Sequence, residues 1–122
     1  MRVIAFTGSR ADYYLQQPLL KRLSSYEAVE LKLVVSGTIL HEDEMRTLHD
    51  IKNDNISILS EIPILELEDD NFHTLQIAHL LPQLDSVIKS FSPDLALVYA
   101  DRYESFAFAV SAFHRDVVVA HI

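Results

Sequence analysis

The amino-acid sequence predicts a doubly wound α/β domain, a parallel five-stranded sheet in the order 3-2-1-4-5. Three observations lead there. Segments rich in Val, Ile and Leu alternate with stretches of helical periodicity, giving a βαβαβαβαβ order. The final segment, Val117 to Ile122, is continuous in apolar residues, as a strand covered on both faces should be. And 122 residues with 49% hydrophobic and 23% charged side chains make one domain with a core, not a disordered chain. Right-handed crossovers then put helices on both faces of the sheet.

Val3 to Thr7 reads as the first strand. Leu15, Leu19, Leu23 and Tyr26 follow at spacings of three and four, the stripe of an amphipathic helix in which Pro18 is tolerable only in the first turn. Val29 to Ser36 is the second strand, Asp43 to Asp54 a polar helix, and Ile56 to Ile64 a third strand ending near Pro63. The acidic run Glu66-Leu67-Glu68-Asp69-Asp70 fits a solvated loop and helix start, where carboxylates suit the positive end of the dipole. Ile77, Leu81, Leu84, Ile88 and Phe91 keep one apolar stripe along the next helix, with a kink expected at Pro82. Ser92-Pro93-Asp94 closes it and Leu95 to Tyr99 is the fourth strand. Phe106, Ala109, Val110 and Phe113 share one side of a helix poor in charge, which leads into the fifth strand.

Charge and composition exclude several functions. A net charge of −8 and a pI near 5.0 repel phosphate backbones, so nucleic acid is not an expected partner. An anionic substrate must be held by local donors against that field. The absence of cysteine removes disulfides, thiolate nucleophiles and sulfur-based metal sites. The N-terminal apolar run is too short for a signal peptide or membrane span, so a soluble cytoplasmic protein is the expectation.

In this topology ligands bind beyond the carboxyl ends of the strands, at the crevice where strand order reverses, here between strands 1 and 4. The segments after Thr7, Ser36 and Tyr99 therefore carry the candidates. In Thr7-Gly8-Ser9-Arg10-Ala11-Asp12-Tyr13, Gly8 permits a tight turn and Ser9 to Asp12 fits an S-x-x-[DE] helix start. Arg10 there is either a surface arginine or a fork for phosphate or carboxylate beside a helix N-terminus. Ser36-Gly37-Thr38 forms a second turn. His41 beyond it has no second histidine at helical ligand spacing, so no metal site is read. In Tyr99-Ala100-Asp101-Arg102-Tyr103-Glu104, Asp101 either transfers or orients a proton or caps the next helix. Arg102 either neutralises a leaving phosphate or makes a local ion pair. His121, alone at the end of a strand, is by itself more often a hydrogen-bonded core residue than a catalyst.

TGSRADY after strand 1, SGT after strand 2, SPDLALVYADRYE around strand 4 and VAHI at strand 5 together resemble the hydrolysing UDP-N-acetylglucosamine 2-epimerases. The similarity runs through the whole chain in order and spacing. Non-hydrolysing relatives usually carry threonine where this chain has Arg102. The resemblance implies the Rossmann-like N-terminal part of a fold like the B-type glycosyltransferases, with UDP held mainly by a second, C-terminal domain. It implies elimination of UDP from a UDP-2-acetamido sugar and hydration to the free N-acetylmannosamine-type sugar, without metal or nicotinamide, in a homo-oligomer. Carried over by position, Arg10 and Arg102 contact the nucleotide, Asp101 is a catalytic carboxylate and His121 lies beside the catalytic centre. The next family residues, an acidic one and a glycine pair, begin beyond Ile122, so the 122 residues alone are expected to be inactive. Family members usually have glycine or serine at Tyr14, histidine at Ile39, glycine near Met45 and glycine at Ala100.

Two other readings compete. A response-regulator receiver needs an acidic pair after strand 1 and an aspartate after strand 3, where this chain has Gly8-Ser9 and Ile64-Leu65. That class is set aside. A non-catalytic oligomerisation or binding module using the helix from Tyr103 to His114 stays open.

Overall fold

The computed structural model describes residues 1–41, 45–66 and 72–122. Five parallel strands, β1 (Arg2–Thr7), β2 (Glu30–Ser36), β3 (Ile58–Ile62), β4 (Leu95–Val98) and β5 (Val118–His121), form one sheet in the order β3-β2-β1-β4-β5. Between them run helices α1 (Arg10–Ser24), α2 (Met45–Asn53), α3 (Phe72–Phe91) and α4 (Tyr103–Phe113), with a 3₁₀ turn at Gly37–Leu40. The expected fold class and strand order are those observed, and the third strand is shorter than its apolar run. The proposed first residues of α2, and most of the acidic run before α3, lie outside the described residues.

Alternation along β1 explains the layering. Ile4 and Phe6 face one side, with Leu80, Leu84, Ile88 and Phe91 of α3 and Ala107, Phe108 and Ala112 of α4. Val3 and Ala5 face the other, with Tyr13 and Leu20 of α1 and Leu48 and Ile51 of α2. Central strands buried on both faces shed about 25 cal/mol per Å² of apolar surface on each side. Their carboxyl ends then become a rigid rim for the turns that follow.

Three expectations are corrected. α1 turns Asp12, Tyr13, Gln16 and Leu20 inward, while Leu15 is 66% exposed and Leu19 and Tyr26 are also exposed. Two of the inward polar side chains find partners outside their own helix. The Tyr13 hydroxyl donates to Asp54 Oδ2 at 2.6 Å and Gln16 Nε2 donates to the Phe6 carbonyl at 3.0 Å. Pro18 lies well past the first turn. Its ring is exposed, so water can reach the Tyr14 carbonyl that loses its helical donor. On α4, Phe106, Ala109, Val110 and Phe113 share one side as expected, and it is the outward one, with Phe106 and Phe113 57% and 69% exposed, while the buried side carries Glu104, Ser105, Ala107, Phe108, Ser111 and Ala112. Ser111 reaches the Leu81 carbonyl of α3, while Phe108 stacks on Phe6 of β1. Finally, β5 is an edge strand with Val118 66% exposed, so its apolar run does not mark a strand covered on both faces. α3 continues through Pro82, and its stripe is deepened by Gln76 and Leu80.

Candidate functional site

The crevice between β1 and β4 is built by two glycine turns. β1 ends at Thr7, and Gly8 leads into Ser9, whose hydroxyl accepts from the Asp12 N–H at 3.2 Å and so caps α1. Such a cap contributes about 0.5–2 kcal/mol. At the end of β2, Gly37 adopts φ +64, and the Thr38 N–H donates to the Gly8 carbonyl at 3.0 Å. The two turns are thereby locked together over the crevice. Ile39, just beyond, is fully buried in the core under α1 and α2 and does not face the cleft.

Beneath these turns lies an acidic–basic cluster. Arg102 is the N-cap residue of α4 without a side-chain cap bond, and its guanidinium grips Glu104 with two parallel bonds, Nε to Oε2 at 3.2 Å and Nη2 to Oε1 at 3.0 Å. Glu104 is fully buried. Asp12 approaches Nε from α1 at 3.8 Å, too long for a hydrogen bond, and its Oδ2 has no other partner. Burial raises the Asp12 carboxyl, against the Ser9 hydrogen bond and the Arg102 charge that lower it. The bond to Glu104 raises the Arg102 guanidinium, keeping it cationic. Burial, then the Glu104 charge, push the neighbouring Tyr103 phenol up to about 12.

On the other side of the β4 end, Asp101 and His121 line a single hollow of about 270 Å³ with Ala100, Ser105, Phe106 and Val119. His121 Nε2 lies 2.9 Å from the Ala100 carbonyl. A carbonyl only accepts, so Nε2 must donate, and a neutral ring then offers Nδ1 as an acceptor. Ala100 has φ +64, a left-handed conformation that costs a non-glycine residue about 1–2 kcal/mol. That strained turn separates Asp101 from the strand and sends it to the hollow while Arg102 goes to the crevice.

The sequence candidates thus fall into groups. Asp101 and His121 share the hollow, Arg102 joins Asp12 and Glu104, and Arg10 is exposed in the first turn of α1, making no ion pair among the described residues. Sequence reasoning passed over Asp12 and Glu104. One signal was present: Glu104 is the only carboxylate of α4, and it stands in the first turn. Among the described residues no three His, Asp or Glu side chains gather as a metal site requires.

Residues 21–122, most of the chain, match the sequence model of the UDP-N-acetylglucosamine 2-epimerase family. The chain belongs to that family. Among relatives, it is 35% identical over 122 residues to the UDP-N,N'-diacetylbacillosamine 2-epimerase (hydrolyzing) of Legionella pneumophila, covering 99% of this chain and 32% of the relative. It is 27% identical over 126 residues to the UDP-N-acetylglucosamine 2-epimerase of Bacillus subtilis, covering 100% and 30%. The chain therefore spans about a third of the length of the curated epimerases it matches. In fold it superimposes on the Neisseria meningitidis UDP-GlcNAc 2-epimerase bound to UDP-GlcNAc, with TM-score 0.81, 21% identity and coverage of 100% of this chain and 32% of that one. The Methanocaldococcus jannaschii epimerase in complex with UDP-GlcNAc and UDP gives TM-score 0.83 at 18% identity, with coverage of 100% and 32%. These epimerase structures share the domain architecture. No helix among the described residues is long and apolar enough to cross a membrane.

Proposed function

We propose that this chain forms the N-terminal part of a hydrolysing 2-epimerase acting on UDP-N-acetylglucosamine or a related UDP-2-acetamido sugar, completed by a second domain that holds most of the nucleotide. The observation that carries the reading is Arg102 directly beside Asp101 at the carboxyl end of β4, in a chain 35% identical to a hydrolysing epimerase. In this reaction the sugar loses its C2 proton and, from C1, UDP, forming a C1–C2 double bond. Water then adds, hydroxyl to C1 and proton to C2 on the opposite face, releasing the free N-acetylmannosamine-type sugar. Asp101 moves or orients a proton from the hollow, and His121 presents Nδ1 to the same space. Arg102 and Arg10 neutralise the departing diphosphate, which the net charge of −8 otherwise disfavours. Neither a metal nor nicotinamide enters this scheme, and the assembly is read as a homo-oligomer working in the cytoplasm.

The test is turnover by the intact protein in deuterated water. Equal amounts of UDP and free sugar, deuterated at C2, are expected. Formation of the UDP-linked epimer without release of UDP assigns the protein instead to the non-hydrolysing branch. The 122 residues alone are expected to release no free sugar, because catalysis needs groups on both sides of the ring.

A second reading, a non-catalytic oligomerisation or binding module, is favoured by the two exposed phenylalanines of α4, Phe106 and Phe113. It requires that Phe113→Glu change the sedimentation of the protein while no UDP-sugar turnover is found in either form.

A further inference from the structure

Glu104 is a fully buried carboxylate whose bonds both go to one partner, Arg102. Taking a carboxylate out of water is costly, and a buried ion pair is a poor way to gain stability. The surroundings are shaped to accept it all the same. The chain has two glycines, and both border this group. A β-carbon on Gly8 would lie 3.5 Å from Glu104 Oε1, and one on Gly37 would lie 3.0 Å from it. The turns that follow β1 and β2 therefore close directly over the carboxylate, and no substrate atom can reach it.

What the pairing does is orient. Glu104 occupies the Nε–Nη2 edge of the guanidinium, and Asp12 stands 3.8 Å from the same Nε. Among the described residues Nη1 has no hydrogen-bond partner, so its donors remain for an incoming group, and the Arg102 side chain is 36% exposed at the crevice. A planar fork gripped along one edge can present only the other.

We propose that Glu104 is a positioning residue, holding Arg102 so that its Nη1 edge meets the diphosphate of a nucleotide sugar. This rests on the reading of Arg102 as a nucleotide contact. Glu104 touches neither substrate nor reacting atoms, and its effect passes wholly through Arg102.

The experiment uses the intact protein with UDP as probe. Glu104→Gln should weaken UDP affinity on the order of 10-fold, and Glu104→Asp should keep part of it. In an Arg102→Lys background, adding Glu104→Gln should change affinity no further, because the two side chains act as one unit. A Glu104 that only stabilises the fold would lower the melting temperature equally in both backgrounds and leave UDP affinity unmoved, which overturns the proposal. Selective ¹⁵N-arginine labelling supplies a readout on the unaltered protein, independent of how well the variants fold. The Arg102 Nε–H signal, assigned by its loss in Arg102→Lys, should exchange slowly with solvent. Fast exchange would show that the grip does not exist. A protein that binds UDP in this pattern but releases no free sugar sinks the hydrolysing reading alone. A protein with no affinity for UDP removes the nucleotide role of Arg102, and this proposal with it.

Discussion

Gly37 sits so close to Gly8 that a β-carbon on Gly37 would lie 2.0 Å from the Gly8 carbonyl oxygen. That oxygen is already engaged by the Thr38 N–H, and Gly37 holds φ +64, so neither partner can yield cheaply. Gly8 itself has only ordinary contacts at 3.5 Å on its open side. Gly37→Ala should therefore cost more than the roughly 1–2 kcal/mol of a left-handed alanine, with Glu104 displaced as well. Gly8→Ala should cost less. Urea unfolding of the two variants checks the order, and equal losses would show that the turns are not locked as described.

Asp54 ties the end of α2 to α1 through the Tyr13 hydroxyl at 2.6 Å, Lys21 Nζ at 2.8 Å and a bond from Gln17 Nε2. Partial burial works against its charge, but these donors outweigh it and lower its pKa below the ordinary 3.8. A carboxylate with a depressed folded pKa contributes stability above its unfolded value and loses it as pH falls towards the folded one. Tyr13→Phe should cost roughly 1.5–3 kcal/mol at neutral pH, since the bond goes to a charged acceptor. The gap between variant and parent should narrow below pH 3.8, where denaturant titrations at several pH values can follow it.

Asp12 predicts the opposite slope. Its raised pKa means that the folded state holds the proton more tightly, so ionisation destabilises the fold at neutral pH. Asp12→Asn should raise the melting temperature at pH 7. The gain should fade on acidification through the raised pKa and vanish below the unfolded value of 3.8. A gain that persists at low pH would point to packing and not to charge.

Asp101 separates catalysis from capping. The N-cap of α4 is Arg102, so Asp101 caps nothing, and Asp101→Ala should leave the melting temperature nearly unchanged. If Asp101 transfers a proton, Asp101→Asn should cut turnover of the intact protein by about 10²–10⁴-fold with UDP affinity retained. Near-normal turnover of the asparagine variant would end that role.

Strand order, element sequence, the Ser9 cap and both glycine turns were legible in the sequence, because each is specified by neighbours along the chain or by the general rules of parallel sheets. Which face of a helix is buried was not. On α1 the apolar stripe Leu15–Leu19 points outward, because Tyr13 and Gln16 find partners outside the helix, on Asp54 and Phe6. On α4, Phe108 went inward to stack on Phe6 of β1, while Phe106 and Phe113 went outward. The candidate site divides the same way. Asp101, Arg102, His121 and Arg10 could be named from strand ends, whereas the pairing of Arg102 with Glu104, the approach of Asp12 and the hollow shared by Asp101 and His121 arise only in three dimensions. Hydropathy periodicity records what a side chain avoids. A buried polar group is placed by what it bonds, and those partners come from other parts of the chain.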